Sequence, residues 1–338
     1  MVTRWTKKIV AFLHDPPGKP FILRSERHEP HEQLASELQK QALEPTSFSE
    51  GTEKARKADH IASAADRVNF PAAATAYWDR VEPILTHPLA KSAKYCRVPL
   101  TRKMVPELDR KVQEKARPLI SNWADKVKSQ SHSDKEKRLY LYLWRLLYEE
   151  LARQTSLEGW VRLLPADTRQ PDHSLQQHLS ISAAIADALP RPAFLIFSIG
   201  PVQDFIAAAR RTQDLWMGSW ILSYLSWKAM ERLADEFGPD VIVFPSLRGQ
   251  PLCDWWLNKT YGLPCQLGSA DLGRPTFPNR FLALLPAEEA CRAAEATPPC
   301  PGGAGRLPPG ENCKAAEKAK KAVQEEWKRL AQQVYNAL

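Results

Sequence analysis

Eight histidines are spread over 338 residues, and a few of them fall beside carboxylates in a way that suggests metal chemistry. His14 and Asp15 are adjacent, His31 opens the segment HEQLA, Asp59 lies in ARKADHIASAADR, and His178 lies in PADTRQPDHSLQQHLSISAAIADAL. A divalent ion that activates water against a phosphodiester needs neutral imidazoles and carboxylates converging from several helices, with one position left open. Taken singly, each of these residues also has an ordinary explanation, because His next to Asp arises by chance and a helical Asp is commonly a cap or a surface charge.

The elements that must position them are helical. Trp5, Ile9, Val10, Phe12 and Leu13 repeat at helical spacing, and Pro16 and Pro17 end that helix just beyond His14 and Asp15. Further helical patterns cover 31–43, 53–68, 107–128, 136–154 and 174–189, so the first part of the chain is expected to be all-helical. Composition changes at Pro190-Arg191-Pro192. FLIFSIG then looks like a buried strand, VIVFP (241–245) like a second strand and RFLALLP (280–286) like a third. A helical pattern runs from Val202 to Gly238, with an interruption expected around Gly218, and an amphipathic one from Lys314 to Leu338. The fold class is therefore α+β: an all-helical domain over 1–189, then a partial ferredoxin-like α/β domain over 190–338. The stretch at about 286–313, dense in Pro, Gly and Ala, is expected to be a flexible loop. A strand-helix-strand-strand-helix series is one strand short of the split βαβ unit, so the expectation is a fragment, or a partner that supplies the last strand.

Composition narrows the function classes. The formal net charge of +8 favours a polyanionic partner, and from Thr101 to Tyr140 eleven Lys or Arg stand against six Asp or Glu. A solvated helix face explains that run equally well. The six cysteines (Cys96, Cys253, Cys265, Cys291, Cys300 and Cys313) contain no short pair of the kind a zinc knuckle or redox motif requires, which fits a reduced, cytoplasmic protein. No apolar run is long enough to span a bilayer, so no membrane role is expected.

Two groups of motifs carry a family resemblance. HDPPGKP, HEQLA, ADHIASAADR and PADTRQPDHSLQQHLSISAAIADAL occur in the same order as in the permuted HD domain of the large subunit of type III-B CRISPR effector complexes, which they resemble. FSIGPVQDFIAAARRTQDLWMGSWILSYLSWKAM, residues 197–230, resembles the opening of the first palm domain of that subunit's Cmr branch, and PNRFLALLP (278–286) resembles a later segment. The resemblance implies an HD-type phosphodiesterase/nuclease domain over 1–189 and a noncatalytic palm over 190–338. It implies His14 and Asp15 as the catalytic pair, and His14, Asp15, Asp59 and His178 as ligands of a divalent metal (Mn, Ni or Mg). His31 would be a fifth ligand or an outer partner. Asp66 and Arg67 are read equally well as a salt-bridged helix, and Lys19 is a candidate contact to substrate phosphate. The implied substrate is single-stranded DNA, cut by metal-activated water. The implied partners are other Cmr subunits, the CRISPR guide RNA and its target RNA. The alternative is a catalytically idle scaffold that docks other subunits and the 5' end of the guide. In the family a second palm with a GGDD motif makes cyclic oligoadenylate from ATP; these 338 residues contain no GGDD, so no such synthesis is expected from them alone.

Overall fold

Ile9, Val10, Ala11 and Phe12 are completely buried, which makes helix α1 (Arg4–Phe12) the centre of the first half of the chain. The computed structural model describes residues 2–22, 31–43, 48–63, 105–155, 161–162, 164, 166, 173–268, 270–290 and 314–337. The chain folds as two compact units, Met1–Asp187 and Ala188–Leu338.

In the first unit Thr3 caps α1 by accepting a hydrogen bond from the Thr6 amide at 3.1 Å. After Leu13 the paired prolines stop the helix, and a single short turn follows, α2 (Lys19–Ile22). Around α1 stand α3 (His31–Ala42), α4 (Phe48–Ala62), α5 (Val105–Ser129), α6 (Lys135–Gln154) and α7 (Leu175–Ala188). Gly18 lies against α5, where a Cβ would come within 2.6 Å of the Gln113 side chain.

Two features fix α1 against its neighbours. Gly51, Ala55 and Ala58 form a stripe of small, buried residues along α4, and a Cβ on Gly51 would lie 3.3 Å from the Val10 side chain. The two helices therefore pack closely, and Asp59, one turn beyond Ala55, is delivered to the C-terminal end of α1. The partly buried Arg4–Asp187 ion pair, 2.8 Å, ties the start of α1 to the end of α7. The opposite ends, His14 and His178, consequently meet. Gln39 of α3 adds a buried hydrogen bond to the Val10 carbonyl at 3.0 Å.

The second unit holds a three-stranded sheet of β1 (Pro192–Ser198), β2 (Ile242–Phe244) and β3 (Arg280–Pro286) in the order β1-β3-β2. Both outer strands run antiparallel to β3, so β1 and β2 point the same way with β3 inserted between them, as in a split βαβ unit. The crossover consists of α8 (Val202–Ala207) and the long α9 (Thr212–Phe237). Helix α9 packs through Trp227, whose ring stacks on Phe277 at 5.4 Å and meets Trp256 edge-on. Ser226 donates to the Pro278 carbonyl and Ser223 accepts from the Phe277 amide, which registers α9 against the approach to β3.

One helix departs from the sequence expectation of two successive strands: α10 (Pro251–Tyr261) lies between β2 and β3. Its boundary signals are present in the sequence. Pro251 stands at the first helical position, and Gly262 takes a left-handed φ of 68° at the end. After β3 come a short turn, α11 (Ala287–Ala290), and α12 (Lys314–Ala337). Helix α12 runs antiparallel to α9, Lys318 pairing with Glu236 near the end of α9 and Glu326 with Tyr224 nearer its middle, and Trp327 meets Phe205 of α8 edge-on at 6.2 Å. The expected loop from 291 to 313, with Cys291, Cys300 and Cys313, lies outside the described residues, as do Cys96, Asp66 and Arg67. No helix among the described residues is long and apolar enough to cross a membrane.

Trp227 is 1% exposed and has ring partners on two sides. Trp227→Ala is expected to cost about 3–5 kcal/mol, read as an earlier loss of helical circular dichroism in urea, with the first unit's transition unmoved.

Candidate metal centre

The site forms where three segments end together: the stop of α1, the last turn of α4 and the first turn of α7. The paired prolines project His14 and Asp15 from the end of α1. Ser174 caps α7, its hydroxyl accepting from the Gln177 amide at 3.2 Å, and this places His178 in the first turn.

His14 and His178 both direct Nε2 at carboxylate oxygens. His14 Nε2 lies 3.3 Å from Asp15 Oδ2 and 3.4 Å from Asp59 Oδ1. His178 Nε2 lies 3.1 Å from the same Asp59 oxygen and 3.9 Å from Asp15 Oδ2. His14, Asp15 and His178 each offer a donor atom within 4.8 Å of the others, and they form the metal-capable group among the described residues. Asp59 joins it through the contacts just given. Asp15 and His178 are each 3% exposed, whereas Asp59 is 24% exposed, so the cluster opens to solvent on the Asp59 side.

The donor set fits a divalent ion. His14 Nδ1 is 2.6 Å from the Ala11 carbonyl, to which it donates, so Nε2 is turned toward the cluster and would offer its lone pair there once deprotonated. His14 Nε2 is buried and has no hydrogen-bond partner among the described residues. Ligand atoms 3.1–3.9 Å apart are spaced as donors about 2.1 Å from a common ion would be.

Lys19 stands beside the group, its ammonium 2.6 Å from Asp15 Oδ2. His31 is half-buried at the start of α3 and is not a member of the cluster. The structure also brings in His173, which no sequence motif singles out: its ring lies 5.9 Å from that of His178. The available signal is its position immediately before the Ser174 cap.

Buried charges set the protonation. Burial works against a charged His14, but Asp15 and then Asp59 outweigh it and raise its pKa to about 10. Burial would push Asp15 up; His14 and Lys19 overcome this and hold it well below the usual carboxylate range. For Asp59 burial is likewise overcome, by the adjacent His14 and His178 imidazoles.

A helical unit with a buried His/Asp cluster, followed by a split βαβ sheet, defines a two-unit α+β protein equipped for metal chemistry. Known proteins share parts of the sequence, and a solved chain shares the fold. Residues 194–332 match the family described as CRISPR-associated protein Cmr2, N-terminal. The chain is 28% identical to the CRISPR system Cmr subunit Cmr2 of Pyrococcus furiosus, over 86% of this chain and 36% of that protein. It is 31% identical to the CRISPR system CMR subunit Cmr2 of Saccharolobus solfataricus, over 71% of this chain and 23% of that protein. A chain in the cryo-EM structure of type III-B Cmr-beta in the apo state shares the fold, with a TM-score of 0.61 and 24% identity over 96% of this chain and 33% of that one. The chain belongs to the Cmr2 family, the large subunits of type III-B Cmr complexes. It spans about a third or less of the length of these relatives.

The pKa directions give a signed pH dependence for the metal-free protein. Asp15 and Asp59 contribute stability that is present above their unfolded value of 3.8 and lost as pH falls. His14 contributes stability that is full below its unfolded 6.5 and lost as pH rises to about 10. Chelator-treated protein should therefore lose Tm between pH 6.5 and 10, and His14→Ala should flatten that decline. A metal must displace the His14 proton, so added Mn2+ should raise Tm more at alkaline than at neutral pH. Thermal scans across pH, with and without Mn2+, measure both.

Proposed function

We propose that the first unit is an HD-type, divalent-metal phosphodiesterase that cleaves single-stranded DNA, and that the second is a noncatalytic palm. The chain then serves as part of the large subunit of an RNA-guided Cmr effector, with other Cmr subunits, guide RNA and target RNA as partners. The observation that carries this reading is the convergence of His14, Asp15 and His178, which come from opposite ends of the unit, with Asp59 beside both imidazoles at the solvent side.

His14, Asp15, Asp59 and His178 would hold the ion. Two imidazoles and two carboxylates suit Mn2+ or Ni2+ better than Mg2+, which prefers oxygen ligands. When bound, the ion supplies Lewis acidity and a lowered pKa for water. The chain's own residues do the rest. The Ala11 carbonyl holds the tautomer and orientation of His14. Asp15 and Asp59 supply the negative charge that retains a dication. Lys19, within reach of Asp15, offers an ammonium to the substrate phosphate once the ion neutralises that carboxylate. The buried α1 core closes the inner side of the cluster, so the scissile group enters from the Asp59 side. The relation to Cmr large subunits favours a nucleic acid over a free nucleotide as substrate.

In a Mn2+- or Ni2+-dependent assay on a single-stranded oligonucleotide, His14→Ala with Asp15→Ala should lower cleavage by more than the roughly 10–100-fold typical of outer-partner mutations. Elemental analysis of the same protein should show loss of bound metal. Unchanged cleavage would refute the assignment. Bound metal in the native chain with intact DNA would leave the docking role as the function.

A further inference from the structure

Helix α4 carries an uncommitted cation beside the most exposed member of the cluster. The Asp59 side chain is 24% exposed against 3% for Asp15. Arg56 stands three residues earlier, one turn back along the same helix, so the two side chains are neighbours on one side of α4. Arg56 is exposed, whereas Ala55 and Ala58 turn inward to the core. Its guanidinium has no ion pair or hydrogen bond among the described residues.

The surrounding groups explain why it stays free. Asp59 is turned to the imidazoles of His14 and His178, at 3.4 and 3.1 Å. Side chains on a helix lean toward its N-terminus, so Arg56 leans away from that carboxylate. Lys57, two residues before Asp59 and therefore on the other side of the helix, is paired with Glu53 at 2.7 Å. Of these two adjacent cations, only the one on the Asp59 side is available to an anion.

We propose that Arg56 is a substrate-binding residue that holds the phosphate next to the scissile one on a single-stranded DNA backbone; this rests on the phosphodiesterase reading above. Phosphates repeat along the strand, so a strand with one phosphate at the cluster presents another to the surface beside it. A guanidinium meets a phosphate with two parallel N–H donors, and Arg56 can do so without breaking an existing ion pair. Lys19 lies on the Asp15 side and addresses the phosphate at the cluster itself, so the two cations serve different phosphates.

The test uses the full chain, Mn2+ and two substrates: a fluorescein-labelled oligothymidylate, which has flanking phosphates, and bis(p-nitrophenyl) phosphate, a phosphodiester that has none. Arg56→Ala should raise KM for the oligonucleotide about tenfold, the weight of one hydrogen-bonded contact to a charged group, and leave kcat within about twofold. It should also flatten the slope of log KM against log salt by about 0.7, the share of one single-strand phosphate contact. Manganese content and turnover of bis(p-nitrophenyl) phosphate should not change. Arg56→Lys keeps the charge and loses the fork, so it should restore the salt slope and only part of the affinity. Lys57→Ala removes a cation already paired with Glu53 and should leave every reading unmoved. An unchanged oligonucleotide KM for Arg56→Ala would overturn the proposal, as would an equal rise for Lys57→Ala, which would reduce the effect to net charge. A loss of manganese or slower turnover of bis(p-nitrophenyl) phosphate would overturn it by making Arg56 a support of the metal centre. Failure of the phosphodiesterase reading looks different: the native chain itself would bind no manganese or cleave neither substrate. In that case fluorescence anisotropy decides the Arg56 contact, which is refuted if native and Arg56→Ala chains bind the oligonucleotide equally.

Discussion

Two carboxylates pressed into the end of a helical core must be balanced, and much of the first unit follows from how that is done. An isolated buried carboxylate would lose several kcal/mol of hydration. Asp15 is 3% exposed and Asp59 is partly covered, yet both are held ionised by His14, His178 and Lys19. The balance is local and tight, with every partner within 4 Å. A dication in the middle would satisfy the same carboxylates while displacing the His14 proton. The site is thus electrostatically complete without metal and has the donors to exchange protons for one.

The helices that create this site are themselves under a packing constraint. Helix α4 can bring Asp59 to His14 only because Gly51, Ala55 and Ala58 let it approach α1 closely. Helix α7 brings His178 to the same point while its buried Leu175, Leu179 and Ala183 face the core and Asp187 pairs with Arg4 at the far end. A larger residue in the small stripe, or a slip of α7 by one turn, would separate donors that are now 3.1–3.9 Å apart.

The second unit has a different character. Its sheet packs one face on α9 through Trp227 and Phe277, while Ile196 and Phe244 on the outer strands, both opposite Leu282 in register, remain exposed. The match to the Cmr2 N-terminal family falls in this unit, at residues 194–332, and the metal-capable cluster lies in the other. Family membership and site chemistry therefore rest on separate stretches of the chain.

Much of this was legible in the residues. Helical spacing and the Pro-Pro stop locate α1 and its end, and compact apolar runs locate all three strands, because periodicity and backbone breakers are local properties. Helix α10 escapes such a reading although its Pro start and Gly end are in the sequence, because its apolar residues show little periodicity. Residue type and family resemblance nominate His14, Asp15, Asp59 and His178. Their distances were not readable, since Asp59 and His178 are 119 positions apart and only the close packing of α4 on α1, with the start of α7 brought to the end of α1, places them 3.1 Å apart. The same holds for His173, ordinary in the sequence and adjacent to the cluster in space. The sequence by itself determined which elements form and which side chains can bind a metal. Tertiary packing decided which of them meet and how their charges are shared, because burial and neighbouring charge depend on what the folded chain brings together.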